Sequence, residues 1–240
     1  MKRIILILVA FTTINAHSQT ETLNWYIDGQ TYATTTCESG GDVLLPTSPT
    51  KRGYTFMGWS LYTPIEYLES TGTQWIDTGY IPNLNTKIKL SVVSNNISSN
   101  AISGEAWNYR TTLLMFENAT VKWHLCSNGS VTSSLISSNT VCNIEAENGV
   151  LILNNQIYSC YKLTSFSAYT NMRIFFNGNS SSKIKLYYFK IYDNNTLVRD
   201  FIPVLDKDGA PCMYDKVENK FYYNAGTGQF IAGPIIGAEQ

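Results

Sequence analysis

Ile65–Tyr80, IEYLESTGTQWIDTGY, decides the fold, because a large β region begins on it and closes on a matching C-terminal segment, Lys190–Phe230. Glu66–Ser70 is a short run in which Tyr67 and Leu68 are apolar, and Ser70-Thr71-Gly72 is turn chemistry. Gln74–Thr78 then alternates at a period of two until Gly79 ends it. Two short strands around a glycine turn are predicted. With Ile76 turned into a core, Trp75 and Asp77 share the opposite face, against solvent or a second layer.

The composition around this stretch is that of a globular β protein. Of 240 residues, 44% are hydrophobic and 13% aromatic, enough to bury a core, while only 15% are charged. Ser, Thr, Asn and Tyr dominate the polar positions, which suits strands with one wet face and polar turns better than charged surface helices. Met1–Ser18 has Lys2 and Arg3, an apolar run Ile4–Phe11, and small residues at Ala16 and Ser18. That layout predicts a secretory signal peptide cleaved after Ala16 or Ser18, and no cysteine comes close enough after the run for a lipoprotein anchor. Localisation is expected to be exported: periplasmic, cell-surface or extracellular, without membrane insertion.

Removing Lys2 and Arg3 leaves 15 basic and 18 acidic residues, a net charge of −3, and the largest basic cluster is Lys51-Arg52. Nucleic acid and anionic membrane are therefore poor partners. The five cysteines are Cys37, Cys126, Cys142, Cys160 and Cys212. Export permits disulfides, and four in the larger region allow three connectivities. In a simple meander none of Cys126, Cys142 and Cys160 falls opposite another, and bridging needs Cα atoms within about 7 Å, so buried thiols and bridges both remain open. Cys37 is odd by count.

From Glu21 to Ser60 the predicted order is strand (LNWYI), turn at Asp28-Gly29, strand (QTYATTT), turn at Gly40-Gly41, short strand (DVLLP), a proline-rich connection, and strand (YTFMGW). GGDVLLPTSPTKRGYTFMGWS resembles the Listeria-Bacteroides repeat of bacterial surface proteins, a small β-grasp-like module ending in G-Y-x-F-x-G-W. Gly53, Tyr54, Phe56, Gly58 and Trp59 match that signature. The opening half departs from the family in lacking an Asn-Gly-Gly segment before the second strand. A unit of about 40 residues is marginal alone, so docking on the larger C-terminal region is expected, with Tyr54, Phe56 and Trp59 as its core rather than as a binding surface.

Ser60–Pro64 is a short linker. YLESTGTQWIDTG, with KIYDNNTLVRDFIPV and YDKVENKFYYNAGTGQF near the C-terminus, resembles the concanavalin A-like, laminin-G-like domains of secreted gut-bacterial proteins and phage structural proteins. That resemblance covers 65–234 and supplies no functional residues. Between its ends the sequence reads as strands: IKLSVV, Ala101–Trp107, Thr111–Phe116, VKWHLC, VTSSLI, TVCNIEAE, VLILN, QIYSCYKL, MRIFFNGN and KIKLYYFKIYD, punctuated by Ser127-Asn128-Gly129, Asn148-Gly149 and Asn154-Asn155. The predicted class is all-β: a two-sheet jelly-roll, concanavalin A-like sandwich with a small N-terminal β-grasp-like module. The expected division is 1–18 signal peptide, 19–62 small module, 63–235 sandwich and 236–240 tail.

Chemistry is sparse. His124 is the one histidine outside the signal region, flanked by Trp123 and Leu125 as a structural strand residue would be, and it leaves no His-rich zinc site. Glu145 and Glu147 have the same-face spacing that could set carboxylates roughly 5 Å apart, as in a retaining glycosidase. A third acidic residue is missing, however, and Glu147 runs straight into a turn, so no enzyme is expected. No D-x-D-x-D-G calcium loop occurs; Asp206-Lys207-Asp208-Gly209 comes nearest and reads as a solvated hairpin end. No cofactor is implied, and only a weak calcium site built from scattered carbonyls would escape detection. Aromatic residues beside amides and cations suit sugar rings. Trp107 and Tyr109 are the stacking candidates, with Asn108 and Arg110 as polar partners, while Trp123 and Tyr169 are weighed as inter-sheet filler against surface. The expected function is an exported binding module for carbohydrate, its partner a glycan or a surface protein. The alternative is a structural or protein-interaction module without glycan affinity.

Overall fold

A computed structural model of the chain describes residues 2–11, 20–27, 30–39, 41–104, 112–125, 130–166, 168–176 and 182–236. Every regular element among them is a β-strand, and none is a helix long and apolar enough to cross a membrane. The chain forms two compact units: Met1–Glu66 with Val204–Ala210 and Pro234–Gln240, and Tyr67–Pro203 with Pro211–Gly233.

The first unit contains β1 (Lys2–Phe11), β2 (Thr20–Ile27), β3 (Gln30–Glu38), β4 (Tyr54–Ser60) and β5 (Thr63–Pro64). The sheet order is β3-β2-β1-β4, antiparallel except for the parallel β1–β4 pair. The apolar run expected to direct export forms β1. Alternation in LNWYI buries Leu23 and Trp25. Trp59 packs edge-on against Trp25 at 4.8 Å between ring centroids and against Phe56 at 5.3 Å, and Trp25 Nε1 donates to Thr35 Oγ1 at 2.8 Å. Trp59 of the G-Y-x-F-x-G-W signature thus packs against the Leu23–Trp25 core, with Phe56 against its ring. The segment DVLLP differs from expectation. Asp42–Pro46 forms no strand, and Leu44 is 70% exposed, because no neighbouring strand pairs with it and Pro46 and Pro49 interrupt the donors a ladder requires.

In the second unit the strands are β6 (Leu68–Glu69), β7 (Ile76–Asp77), β8 (Thr86–Val93), β9 (Ser99–Gly104), β10 (Thr112–Glu117), β11 (Thr120–Leu125), β12 (Ser130–Thr132), β13 (Cys142–Glu147), β14 (Val150–Leu153), β15 (Gln156–Ser159), β16 (Arg173–Ile174), β17 (Lys185–Asp193), β18 (Thr196–Leu205, whose last two residues fall in the first unit), β19 (Pro211–Asp215), β20 (Lys220–Tyr222) and β21 (Ile231–Ala232). One sheet is six-stranded, β12-β11-β10-β9-β16-β7; the other runs β15-β14-β13-β8-β17-β18-β19-β20, with β6 between β17 and β21. It is an all-β sandwich of jelly-roll type. Two-residue Asn-Asn turns at Asn154-Asn155 and Asn194-Asn195 hold positive φ at both positions, matching the right-handed twist of the strands they join. Alternation buries Ile88, Leu90 and Val92 from one sheet against Val121, Trp123 and Leu125 from the other. Trp123 Nε1 donates to the Glu147 carbonyl on the opposite sheet at 2.9 Å, so Trp123 is inter-sheet filler with a satisfied polar edge.

The opening stretch supplies both layers. Leu68 in β6 lies opposite Leu186 and Ala232, whereas Ile76 in β7 lies opposite Ile174 in the other sheet. The two short strands therefore do not form a hairpin; the turn between them crosses from one sheet to the other. Its return to the C-terminus is direct. Ala225 N–H donates to the Trp75 carbonyl at 2.8 Å, Thr73 Oγ1 to the Thr227 carbonyl at 2.8 Å, and Gln74 Nε2 to the Gln229 carbonyl at 2.9 Å.

Candidate functional site

The period-two pattern that buries Ile76, Met172 and Ile174 turns Trp75, Asp77, Asn171 and Arg173 to the outer face of the six-stranded sheet. Trp75 stacks on Phe176, with centroids 5.5 Å apart and planes 22° from parallel. The Arg173 guanidinium lies 4.6 Å from the Trp75 ring and 5.3 Å from that of Phe176. Gly226 permits this arrangement by close approach: a Cβ there would collide with the Thr73 carbonyl and meet the Trp75 ring at 2.8 Å. Asp77 is the strand neighbour of Arg173, yet its carboxylate accepts from Gly79 N–H at 2.9 Å.

Beside this cluster opens a cleft of about 460 Å³, lined among others by Asp77, Asn171, Lys220, Phe221 and Tyr223. That volume falls within the roughly 300–1,000 Å³ of small-ligand sites. Alternation along β20 puts Phe221 and Tyr223 on one face, where Phe221 packs on Tyr214 at 5.0 Å and on Tyr223 at 6.2 Å; Tyr223 is 50% exposed. The floor is held by ions. Arg199 pairs with Glu218 at 2.7 Å and with the fully buried Asp215 at 3.6 Å, and its Nε donates to the Thr78 carbonyl at 3.0 Å. The Tyr222 hydroxyl donates to Glu218; burial, and after it this hydrogen bond, push the phenol well above its ordinary range.

Trp107, Asn108, Tyr109 and Arg110 lie outside the described residues. Their segment leaves β9 at Gly104, whose strand partner is Arg173. Tyr169 is 68% exposed. His124, in β11, is half-buried; burial, aided by the charge of Lys122, lowers its pKa, and no described residue hydrogen-bonds its ring. Glu145 and Glu147 do share a face, but Lys87 bridges them at 3.4 and 3.7 Å and Lys89 binds Glu145 at 2.8 Å. Burial pushes the Glu145 carboxyl up, the two lysines together outweigh it, and the net shift is downward. A glycosidase acid needs the opposite. Asp206 closes its own turn by accepting from the Asp208 and Ala210 N–H groups. No disulfide joins Cys37, Cys142, Cys160 or Cys212 to one another, and burial pushes the Cys142 thiol up to about 11; Cys126 lies outside the described residues.

The cleft was only partly visible in sequence. The alternation around Ile76 marked Trp75 and Asp77 as a shared face, but Asn171, Arg173 and Lys220–Tyr223 come from distant segments with no local motif.

Residues 22–86 match a family model described as the Listeria-Bacteroides repeat domain. The match runs beyond the G-Y-x-F-x-G-W signature to the start of β8. No curated protein matches the chain by sequence. Among solved structures, domains LG4-5 of the mouse laminin alpha1 chain are similar, at 12% identity over 74% of this chain and 67% of that one, with a TM-score of 0.46.

Proposed function

We propose that this chain is an exported, non-catalytic carbohydrate-binding module acting at a cell surface or outside the cell. The observation that carries the reading is the cleft: the exposed Tyr223 and half-buried Phe221 stand beside Asp77, Asn171 and Lys220. Aromatic faces take the C–H side of a sugar ring, and the amide, carboxylate and ammonium groups serve its hydroxyls. Trp107 and Tyr109, with Asn108 and Arg110, are proposed as a further stacking surface, since their segment departs from the strand beside Arg173. Export is supported by Lys2 and Arg3 ahead of the apolar run, with small residues at Ala16 and Ser18.

A glycan array with the purified protein is expected to return weak, specific binding that Tyr223→Ala and Trp107→Ala each weaken about fivefold, the ~1 kcal/mol of one stacking contact. Binding that neither substitution changes would remove these sites. If no glycan binds while the protein is found on the cell surface, the protein-interaction reading takes its place. Intact mass of the protein recovered outside the cytoplasm should show a start after Ala16 or Ser18; retention of Lys2 there would rule out the cleavage.

A further inference from the structure

Among the described residues, the half-buried cations of the second unit obey one rule with one exception. Lys87, Lys89, Lys122, Lys185, Lys190 and Arg199 each have a carboxylate within ion-pair reach. Arg173 is also half-buried, yet among the described residues no carboxylate pairs with it and no group accepts a hydrogen bond from it; its Nε is fully buried without a partner. A guanidinium has five N–H donors and cannot shed its charge, so leaving it desolvated and unpaired costs stability. The structure nevertheless holds it in place. Trp75 and Phe176 fix its plane by cation–π contact, Gly104 across the ladder carries no side chain to cover it, and the Asp77 carboxylate is engaged by Gly79 N–H.

Such a fork, pre-oriented and with no carboxylate paired to it among the described residues, matches an oxyanion. We propose that Arg173 anchors a sugar-borne oxyanion, the carboxylate of a uronic acid or a sulfate ester, so that the glycan taken by this face is acidic. The inference rests on the glycan-binding reading and names its ligand class. Asn171, two residues before Arg173 on the same face, lines the adjoining cleft. A chain anchored at Arg173 can therefore continue over Asn171 toward Lys220 and Tyr223.

The test is titration of the purified protein with polygalacturonate, dextran sulfate and neutral dextran at matched ionic strength. The acidic polymer that fits is expected to bind at least about tenfold tighter than dextran, and Arg173→Gln to remove about tenfold of that affinity, the scale of one charge-assisted bidentate contact. Arg173→Lys should not restore it, because an ammonium keeps the charge but not the planar fork. Lys162→Gln, which removes an exposed charge elsewhere in the same unit, should leave it unchanged. Whether polygalacturonate or dextran sulfate responds to Arg173→Gln identifies the oxyanion. Equal affinity for neutral and acidic polymers overturns the inference while the glycan reading stands. An equal loss in Lys162→Gln also overturns it, since the attraction would then be general. If Arg173→Gln misfolds, full affinity in a folded Arg173→Lys protein overturns it. No binding to any polymer on these or wider arrays removes both readings.

Discussion

Trp123→Ala is expected to destabilise the sandwich by about 3–5 kcal/mol, the range for truncating a fully buried large aromatic side chain. The side chain has no solvent exposure, and its Nε1 reaches across to the Glu147 carbonyl at 2.9 Å, so truncation both opens a cavity between the sheets and strands a carbonyl. Trp123→Phe separates the two losses. It refills most of the volume and should cost about 1–2 kcal/mol, chiefly the unmade hydrogen bond. Chemical denaturation monitored by far-UV circular dichroism measures both. A loss below about 1 kcal/mol for Trp123→Ala would mean that Trp123 does not tie the sheets together.

Trp123 also shows what the sequence makes legible. Its alternation with Val121 and Leu125 in a strand closed by a turn is a local signal, and local signals recover most of the sandwich: β8, β11, β13, β14 and β17 lie where their patterns put them. Partnering is non-local. The run DVLLP has strand composition but finds no neighbour, and MRIFFNGN contributes only Arg173–Ile174 to the ladder. The two short strands of the opening stretch read correctly as strands, yet nothing local tells that β6 and β7 join different sheets. The candidate site is less legible still, because Asp77, Asn171 and Arg173 come from the six-stranded sheet and its flank and Lys220–Tyr223 from the end of the other sheet, brought near one another only by pairings far apart in sequence. Arg173 gives no sequence signal at all: an arginine beginning an apolar strand looks the same whether or not a carboxylate awaits it. Its identification requires the partners of every other half-buried cation.

Gln74→Leu carries the second large effect, expected at about 2–3 kcal/mol, since one stranded buried polar group costs ~1–3 kcal/mol. Gln74 is 2% exposed and organises the crossing between the sheets. Its Oε1 accepts from Ser70 Oγ at 3.1 Å, Thr71 N–H at 2.9 Å and Thr71 Oγ1 at 3.2 Å, while Nε2 donates to the Gln229 carbonyl at 2.9 Å. Leucine keeps the volume and removes every one of these bonds. The turn Ser70–Thr73, with Gly72 at φ 108°, would then be held by the Gly72 N–H bond to Ser70 Oγ and by its bonds to Ile184 and Thr227. Thr73→Val, which deletes only the exposed Thr73 Oγ1 bond to the Thr227 carbonyl, should cost under about 1 kcal/mol. Urea unfolding of the two variants decides between a Gln74-centred turn and a diffuse one. Comparable losses in both would mean that the crossing is held by its backbone ladder, with Gln74 as one contributor among many. Because Trp75 is the next residue after Gln74, the variant should also weaken the glycan binding proposed for the Trp75–Arg173 face, which titration under conditions where the variant remains folded would measure.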